Sequence, residues 1–287
     1  MQVKTVSLVL GSGGARGMAH IGVIRWLEEH DYKIASISGC SMGALIGGFY
    51  AAGKLDVYRD WLKDLDVLGI IKLLDFKGSG GLVSGTVLMQ KLEALVGDHK
   101  IENLPIKFTA VASDISEEKE IWMSRGSLLS AIRASISLPL FFTPHLYEGR
   151  LLVDGGVLNP VPIAPTFHDN TDMTIAVNLG GKVDLDIQLP SREVIGDDSM
   201  SFKITEYFKQ VKLPDMINFE NGVYKVADSS FDAMQGTIAR MKLAAYPPDV
   251  EIEVPRNLCG TLEFNRADEI IAYGYDLCDR LHTEGLL

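Results

Sequence analysis

Two short stretches of the sequence place a reactive side chain beside glycines. Ser41 is the centre of Gly39-Cys40-Ser41-Met42-Gly43, a G-x-S-x-G pattern. Between a strand and a helix, this pattern exposes the serine Oγ above the sheet edge, and the glycines permit a turn too tight for Cβ atoms. Asp154 precedes two glycines at the end of an apolar run. The pattern fits a nucleophilic serine if a nearby group accepts its proton; the alternative is a tight turn with a chemically idle serine.

A third glycine-rich stretch, Gly11-Ser12-Gly13-Gly14-Ala15-Arg16-Gly17, follows the apolar run 6–10. A strand, a glycine loop and a helix in this order point backbone amides at a negative group. A dinucleotide fingerprint requires glycine where Arg16 stands, and a P-loop requires Lys and Ser or Thr where Met18 and Ala19 stand. An oxyanion hole needs only two backbone N–H groups beside the nucleophile, so it fits this loop best.

The elements around these stretches predict that they share one edge of a sheet. Residues 6–10 and 34–38 are predicted strands, and the apolar periodicity through Ile21, Ile24 and Leu27 predicts a helix between them. Such a unit is right-handed and parallel, with both glycine turns at the carboxyl ends of the strands. In open α/β sheets this edge is where ligands bind.

The rest of the chain continues as α/β. Further strands are predicted at 106–112, 121–123, 151–153, 174–178 and 250–254, and helices at 44–52, 55–75, 84–95, 128–137, 201–213, 223–243 and 266–281. We expect a catalytic core over residues 1–182. Residues 183–287 are expected to form a C-terminal helical extension on the same sheet, because they have too few elements for a core of their own.

Composition narrows the class of protein and its partners. The 287 residues are 47% apolar and carry a net charge of −11, which argues against a nucleic-acid partner and against general attraction to anionic membranes. The three cysteines are few and have no metal-ligand spacing, so we expect no disulfide framework, no metal site and a reducing compartment. No cofactor is expected. No apolar run reaches 18 residues and the first residues do not resemble a signal peptide, so a cytoplasmic location is expected.

The base that would accept the Ser41 proton has candidates among the six histidines. The order Ser41, Asp154, His168 fits a Ser-Asp-His triad. His168, however, follows three prolines in a segment that predicts a solvated loop. His20 lies one turn into the first predicted helix, where a core or rim position is expected, and no pattern fixes the place of His145.

A carboxylate is the other kind of base. Asp154 ends an apolar strand, as Ser41 does, and the glycines after it allow another backbone or a substrate to approach closely. The alternative is an Asp-Gly turn in which the side chain bonds the backbone. Asp114 also ends a strand but leads into a polar turn. Asp154 is therefore the predicted base, with the His168 triad as the competing hypothesis.

The three glycine-rich stretches in this order resemble the patatin-like phospholipase family. Ala134-Ser135-Ile136-Ser137-Leu138-Pro139 and residues 153–162 resemble its bacterial branch, and the likeness covers roughly residues 5–180. Members of this family use a Ser–Asp dyad. The resemblance implies a three-layer α/β sandwich, with helices on both sides of a mainly parallel central sheet. Two departures are Cys40, where threonine is common, and Ser12, which replaces a frequent glycine.

The resemblance also implies roles for individual residues. Ser41 would be the nucleophile and Asp154 the base. The amides of Gly13, Gly14 and Ala15 would form the oxyanion hole. The supporting residues are Arg16, Gly39, Gly43 and Gly155.

The implied activity is hydrolysis of lipid carboxylic esters, of the phospholipase A or lysophospholipase kind, through an acyl-enzyme. Because an exposed aspartate is a weak base, we predict that Asp154 is shielded and that its pKa is raised by desolvation. Residues 138–142, with Leu82 and Val83, are expected to line an acyl groove or to pack in the core. A thioesterase or protein deacylase with the same dyad, and a non-catalytic regulatory module, are the alternative functions.

The predicted helix 201–213 bears on membrane contact. It carries Lys203, Lys209 and Lys212 off its apolar face. A basic amphipathic helix can lie on a membrane surface, which would make the protein peripheral there. The alternative is a helix that packs its apolar face on the core.

Overall fold

The computed structural model describes residues 3–75, 83–187 and 222–287, and a mixed eight-stranded sheet runs through these residues. The order is β5-β6-β3-β2-β1-β7-β8, and β4 pairs with β3. Neighbours from β3 to β8 along this order are parallel, whereas β4 and β6 are antiparallel to β3 and β5 is antiparallel to β6. The strands are β1 (Lys4–Leu10), β2 (Tyr32–Cys40), β3 (Lys107–Asp114), β4 (Lys119–Met123), β5 (His145–Tyr147), β6 (Arg150–Asp154), β7 (Met173–Gly181) and β8 (Val250–Pro255).

Helices cover both faces of the sheet. Successive side chains of β1 point to opposite faces of the sheet. Val6, Leu8 and Leu10 belong to the larger core cluster on one face. Val9 belongs to a smaller cluster on the other face, together with Ala239 and Leu243. This is the predicted α/β sandwich with a mostly parallel central sheet. The α-helices of the described residues are α1 (Ala19–Glu29), α2 (Met42–Ala51), α3 (Leu55–Lys63), α4 (Val67–Leu73), α5 (Thr86–Val96), α6 (Leu128–Ser135), α7 (Gly222–Ala245) and α8 (Ala267–Thr283).

The part of the chain after residue 182 contributes to both the sheet and the helical layers. Strand β8 pairs with β7, and α8 crosses α1 so closely that a Cβ on Gly22 would lie 2.0 Å from the Ile271 carbonyl oxygen. Helix α7 supplies Ala239 and Leu243 to the smaller core cluster. The predicted helix 201–213 and its three lysines lie outside the described residues. Within the described ranges, no helix has the length and apolar character needed to cross a membrane.

Two local predictions differ from the structure. The helix predicted over 55–75 is two helices, because Asp66 accepts a hydrogen bond from the Gly69 N–H at 2.7 Å and so caps the start of α4. Strand β5 is absent from the prediction. It is three residues long, and the two-residue turn that joins it to β6, Glu148 and Gly149, has φ of 47° and 80°.

Candidate active site

Ser41 is the single residue between β2 and α2. Its φ of 53° and ψ of −125° are rare for a residue with a side chain and cost about 1–3 kcal/mol. The neighbouring glycines allow this turn because a Cβ on Gly43 would lie 2.0 Å from the Leu10 carbonyl oxygen. A Cβ on Gly39 would lie 2.4 Å from the Gly43 carbonyl oxygen. The elbow therefore packs directly on the end of β1.

Strand register brings Asp154 to this elbow. On β3, Val111 pairs with Cys40 of β2, and the next residue, Ala112, pairs with Asp154 of β6. Strand β4 occupies the other edge of β3 at both positions, so β2 and β6 share one edge and their carboxyl ends meet there. Gly155 makes the junction possible, because a Cβ there would lie 2.1 Å from the Val111 carbonyl oxygen.

The two side chains are in direct contact. Ser41 Oγ donates a hydrogen bond to Asp154 Oδ2 at 2.6 Å, and the Gly156 N–H donates to the other carboxylate oxygen at 2.7 Å. Asp154 is fully buried and Ser41 is 8% exposed. Desolvation raises the pKa of Asp154 to about 7, although the hydrogen bonds from Ser41 and Gly156 act in the opposite direction. The shielding and the upward shift have the predicted direction.

The glycine loop reaches the same place from β1. Gly14 lines one cavity with Ser41 and has φ of 54°. Within the described residues, neither the Gly13 nor the Gly14 amide donates a hydrogen bond to a protein acceptor. The Ala15 amide differs from the prediction: it donates to the Thr261 carbonyl oxygen at 2.9 Å. The Ala15 N–H, the third predicted oxyanion-hole donor, is therefore already bonded to the loop before α8.

Arg16 ties the glycine loop to the C-terminal part of the chain. Its guanidinium forms an ion pair with Asp232 of α7 at 3.0 Å and donates to the Arg256 carbonyl oxygen at 2.9 Å. Nearby, Gln235 Nε2 donates to Ser12 Oγ at 3.3 Å. A buried cation requires such a partner, but an aspartate more than 200 residues away could not be identified from the sequence.

The competing bases lie elsewhere or have other partners. His168 is exposed. His20 is buried, with Nε2 2.9 Å from the Gly11 carbonyl oxygen, and desolvation lowers its pKa to about 4. His145 contacts Ser130 Oγ at 3.0 Å. Asp114 accepts hydrogen bonds from the backbone of its own turn. No histidine of the described ranges has a recorded hydrogen bond to Ser41 or Asp154.

Ser41 opens into an apolar cavity of about 120 Å³. Three of the predicted groove residues, Leu138, Phe141 and Phe142, line it. Leu140 is 70% exposed, Val83 is buried beside Phe142 without lining the cavity, and Leu82 lies outside the described residues. The remaining walls come from α2, α3, α4, α5, the residues that follow α3, α4 and α6, and the segment before α8: Met42, Leu45, Tyr58, Trp61, Leu62, Leu65, Ile70, Leu73, Leu74, Leu88, Ile136, Thr261, Leu262 and Phe264. No charged side chain of the described residues is among them.

Two serines near the dyad were given no role from the sequence. Ser135 Oγ contacts the Ser41 amide at 2.9 Å, and the Ser137 carbonyl oxygen contacts the Asp154 amide at 2.9 Å. Their only sequence signal is the Ala-Ser-Ile-Ser-Leu-Pro stretch, which contributes to the resemblance without indicating a function.

The fold and the site define an α/β protein with a strained serine elbow facing a buried aspartate. The chain belongs to the patatin-like phospholipase family, whose model matches residues 8–167. An uncharacterized NTE family protein from Mycobacterium tuberculosis is 38% identical over 94% of this chain and 89% of its own length. The lysophospholipase nte1 from Emericella nidulans is 29% identical over 99% of this chain and 19% of its own length. The human patatin-like phospholipase domain-containing protein 6 is 26% identical over 95% of this chain and 20% of its own.

Proposed function

We propose that the protein hydrolyses carboxylic esters of lipids, with Ser41 as the nucleophile and Asp154 as the general base. The observation that carries this proposal is the 2.6 Å contact between Ser41 Oγ and Asp154 Oδ2 beside an apolar cavity. Membership of the patatin-like phospholipase family and similarity to a lysophospholipase also support it.

Acylation begins when the substrate carbonyl carbon approaches Ser41 Oγ. The Oγ proton passes along the existing hydrogen bond to Asp154 Oδ2 while Oγ attacks the carbonyl. The carbonyl oxygen, which becomes negatively charged, accepts hydrogen bonds from the Gly13 and Gly14 amides. The tetrahedral intermediate then collapses, and protonated Asp154 gives its proton to the departing alcohol.

Deacylation repeats these steps with water. Ionised Asp154 removes a proton from a water molecule that attacks the acyl-enzyme carbonyl, and the returning proton restores the Ser41 hydroxyl. The Gly156 N–H, 2.7 Å from the second carboxylate oxygen, orients the carboxylate for both steps. One carboxylate thus serves as base and acid in turn.

The pH dependence of turnover follows from the Asp154 pKa of about 7. Only the ionised carboxylate accepts the Ser41 proton, so kcat/KM should rise with pH and level off above the pKa. Between pH 6 and 5, the rate should fall about tenfold for each pH unit. The check is kcat/KM for a soluble ester between pH 5 and 9, with the His168→Gln variant as control. A midpoint that moves in this variant would favour the triad.

The cavity predicts which acyl chains are accepted. Leu62 of α3 is buried in the cavity wall, and Leu62→Phe should lower kcat/KM for long-chain esters about tenfold, as expected for a hydrophobic pocket shortened by roughly one to two methylenes. Acetyl ester turnover should stay within about twofold, because an acetyl group fills little of the cavity. The matched control is Val57→Phe, on the exposed face of the same helix. An equal loss with short and long chains would contradict the assignment.

A substrate series tests the function itself. Wild type and Ser41→Ala are compared on p-nitrophenyl esters of increasing chain length, then on phospholipids, lysophospholipids and acyl thioesters. The proposal expects Ser41-dependent hydrolysis of oxygen esters that improves with chain length. A strong preference for thioesters would favour the thioesterase alternative. Absence of turnover together with an unreactive Ser41 would favour a non-catalytic module.

A further inference from the structure

The Ser135 hydroxyl lies where the chain leaves the sheet at Ser41. Ser135 is the last residue of α6 and is fully buried. Its Oγ accepts a hydrogen bond from the Ser41 N–H at 2.9 Å and donates to the Val111 carbonyl oxygen at 2.6 Å. Val111 pairs with Cys40, the residue before the elbow. The Ser135 hydroxyl therefore bridges the Ser41 N–H and the Val111 carbonyl oxygen just beyond the last direct pair of β2 and β3.

The same segment contacts the second member of the dyad. Two residues after Ser135, the Ser137 carbonyl oxygen accepts a hydrogen bond from the Asp154 N–H at 2.9 Å. Between them, Ile136 lines the apolar cavity. Of these three consecutive residues, Ser135 contacts the backbone of the nucleophile, Ile136 forms part of the cavity wall, and Ser137 contacts the backbone of the base.

Arg133 fixes this segment to its surroundings. Its Nη1 donates to Ser137 Oγ at 2.6 Å, and Ser137 Oγ donates in turn to the Arg133 carbonyl oxygen at 2.8 Å. The Nη2 group donates to the carbonyl oxygens of Ser84 at 2.8 Å and Thr143 at 3.0 Å. The end of α6 is thus held by buried polar contacts in a fixed place relative to the elbow.

The backbone of Ser41 requires such a support. A φ of 53° is unfavourable for a residue with a side chain, and it persists only where neighbouring groups fix it. Without the Ser135 hydroxyl, the buried Ser41 amide and Val111 carbonyl would both lose a hydrogen-bond partner. The elbow could then relax toward an ordinary conformation, which would move Oγ away from Asp154.

We propose that Ser135 is a positioning residue for the Ser41–Asp154 pair, whose hydroxyl holds the strained elbow so that Ser41 Oγ faces Asp154. This inference rests on the proposed function, because it assigns Ser135 a part in the reaction of that dyad. Ser135 acts through the backbone of Ser41 and does not touch the substrate.

The test compares Ser135→Ala with the hydroxyl-retaining Ser135→Thr, and with Ser130→Ala as the matched control on the same helix. Ser135→Ala should lower kcat for a soluble ester by about ten- to a hundredfold, as expected for a small displacement of the reacting groups, with KM changed less than about twofold. The rate constant for fluorophosphonate labelling of Ser41 should fall by the same factor. Ser135→Thr should recover most of the activity, and Ser130→Ala should match wild type.

Four outcomes would reject this proposal. An unchanged kcat in folded Ser135→Ala overturns the proposal, and so does a lowered Tm with wild-type kcat, since both leave Ser135 with a role in folding alone. If Ser135→Ala does not fold, Ser135→Cys keeps the shape with a weaker donor and acceptor, and wild-type kcat in that variant also overturns it. A wild type with no ester turnover and no labelling of Ser41 instead rejects the proposed function, and this inference with it.

Discussion

Replacement of Asp154 by asparagine is expected to lower kcat for ester hydrolysis by about 10³-fold, because the amide cannot accept the Ser41 proton. The side chain keeps its size, and its two neighbours keep partners: the amide oxygen accepts from the Gly156 N–H, and the amide nitrogen donates to Ser41 Oγ. The loss should therefore appear in kcat more than in KM. Steady-state kinetics on a soluble ester measure it.

Thermal stability provides the control for this variant. Because the pKa of Asp154 is raised to about 7 in the folded state, ionisation of this buried group destabilises the fold. The protonated carboxyl is the form that the folded state favours. The stability that it contributes is fully present below the unfolded pKa of about 4 and is lost as pH rises through the folded pKa of about 7. Asp154→Asn should consequently have a higher Tm than wild type at pH 8, with a difference that shrinks toward pH 4. A lower Tm at pH 8 would mean that activity was lost through misfolding.

Substitution of Gly14 by alanine is expected to lower kcat by about 10²–10³-fold, the usual effect of losing an oxyanion-hole donor. Gly14 has φ of 54°, and a Cβ there would lie 2.5 Å from the Thr261 carbonyl oxygen. The loop must therefore shift, and its amides shift with it. Steady-state kcat and the rate of Ser41 labelling should fall together, because both reactions develop charge on the oxygen bound there.

Gly53→Ala is the matched control for the glycine loop. Gly53 also has positive φ, 66°, but nothing lies within 4 Å of the position a Cβ would take. This variant should lose about 1–2 kcal/mol of stability, the cost of a Cβ at a left-handed φ, and keep wild-type kcat. Equal kcat values for Gly14→Ala and wild type would remove the Gly13–Gly14 loop from the mechanism.

Local patterns predicted the parts of the site that depend on neighbours in the sequence. The strand-to-helix turn at Ser41 and the glycines beside Asp154 follow from tight backbone packing, which glycine spacing reveals. The Asp66 cap that divides α3 from α4 is a local signal of the same kind, since aspartate is a favoured N-cap residue, but the prediction missed it and gave one helix over 55–75. Trp61 and Leu65 fall within the predicted helix 55–75, but hydrophobic periodicity could not distinguish a core contact from a cavity wall.

The contacts that join these parts are not local. Ser41 meets Asp154 because the carboxyl ends of β2 and β6 meet along the same edge of β3, and this register is encoded by no short pattern. The Ala15 amide was predicted to be free, yet the Thr261 carbonyl oxygen, almost 250 residues away, accepts its hydrogen bond. The ion pair of Arg16 with Asp232 and the bridging hydroxyl of Ser135 depend in the same way on distant packing.

The rate of covalent labelling of Ser41 by a fluorophosphonate tests the dyad most directly, because the reagent reacts with an activated serine and needs no knowledge of the natural substrate. Peptide mass spectrometry after labelling identifies the modified residue in wild type, Asp154→Asn and His168→Ala. The dyad predicts that Ser41 is labelled at the wild-type rate in His168→Ala and hardly at all in Asp154→Asn. Labelling that persists in Asp154→Asn and disappears in His168→Ala would contradict it.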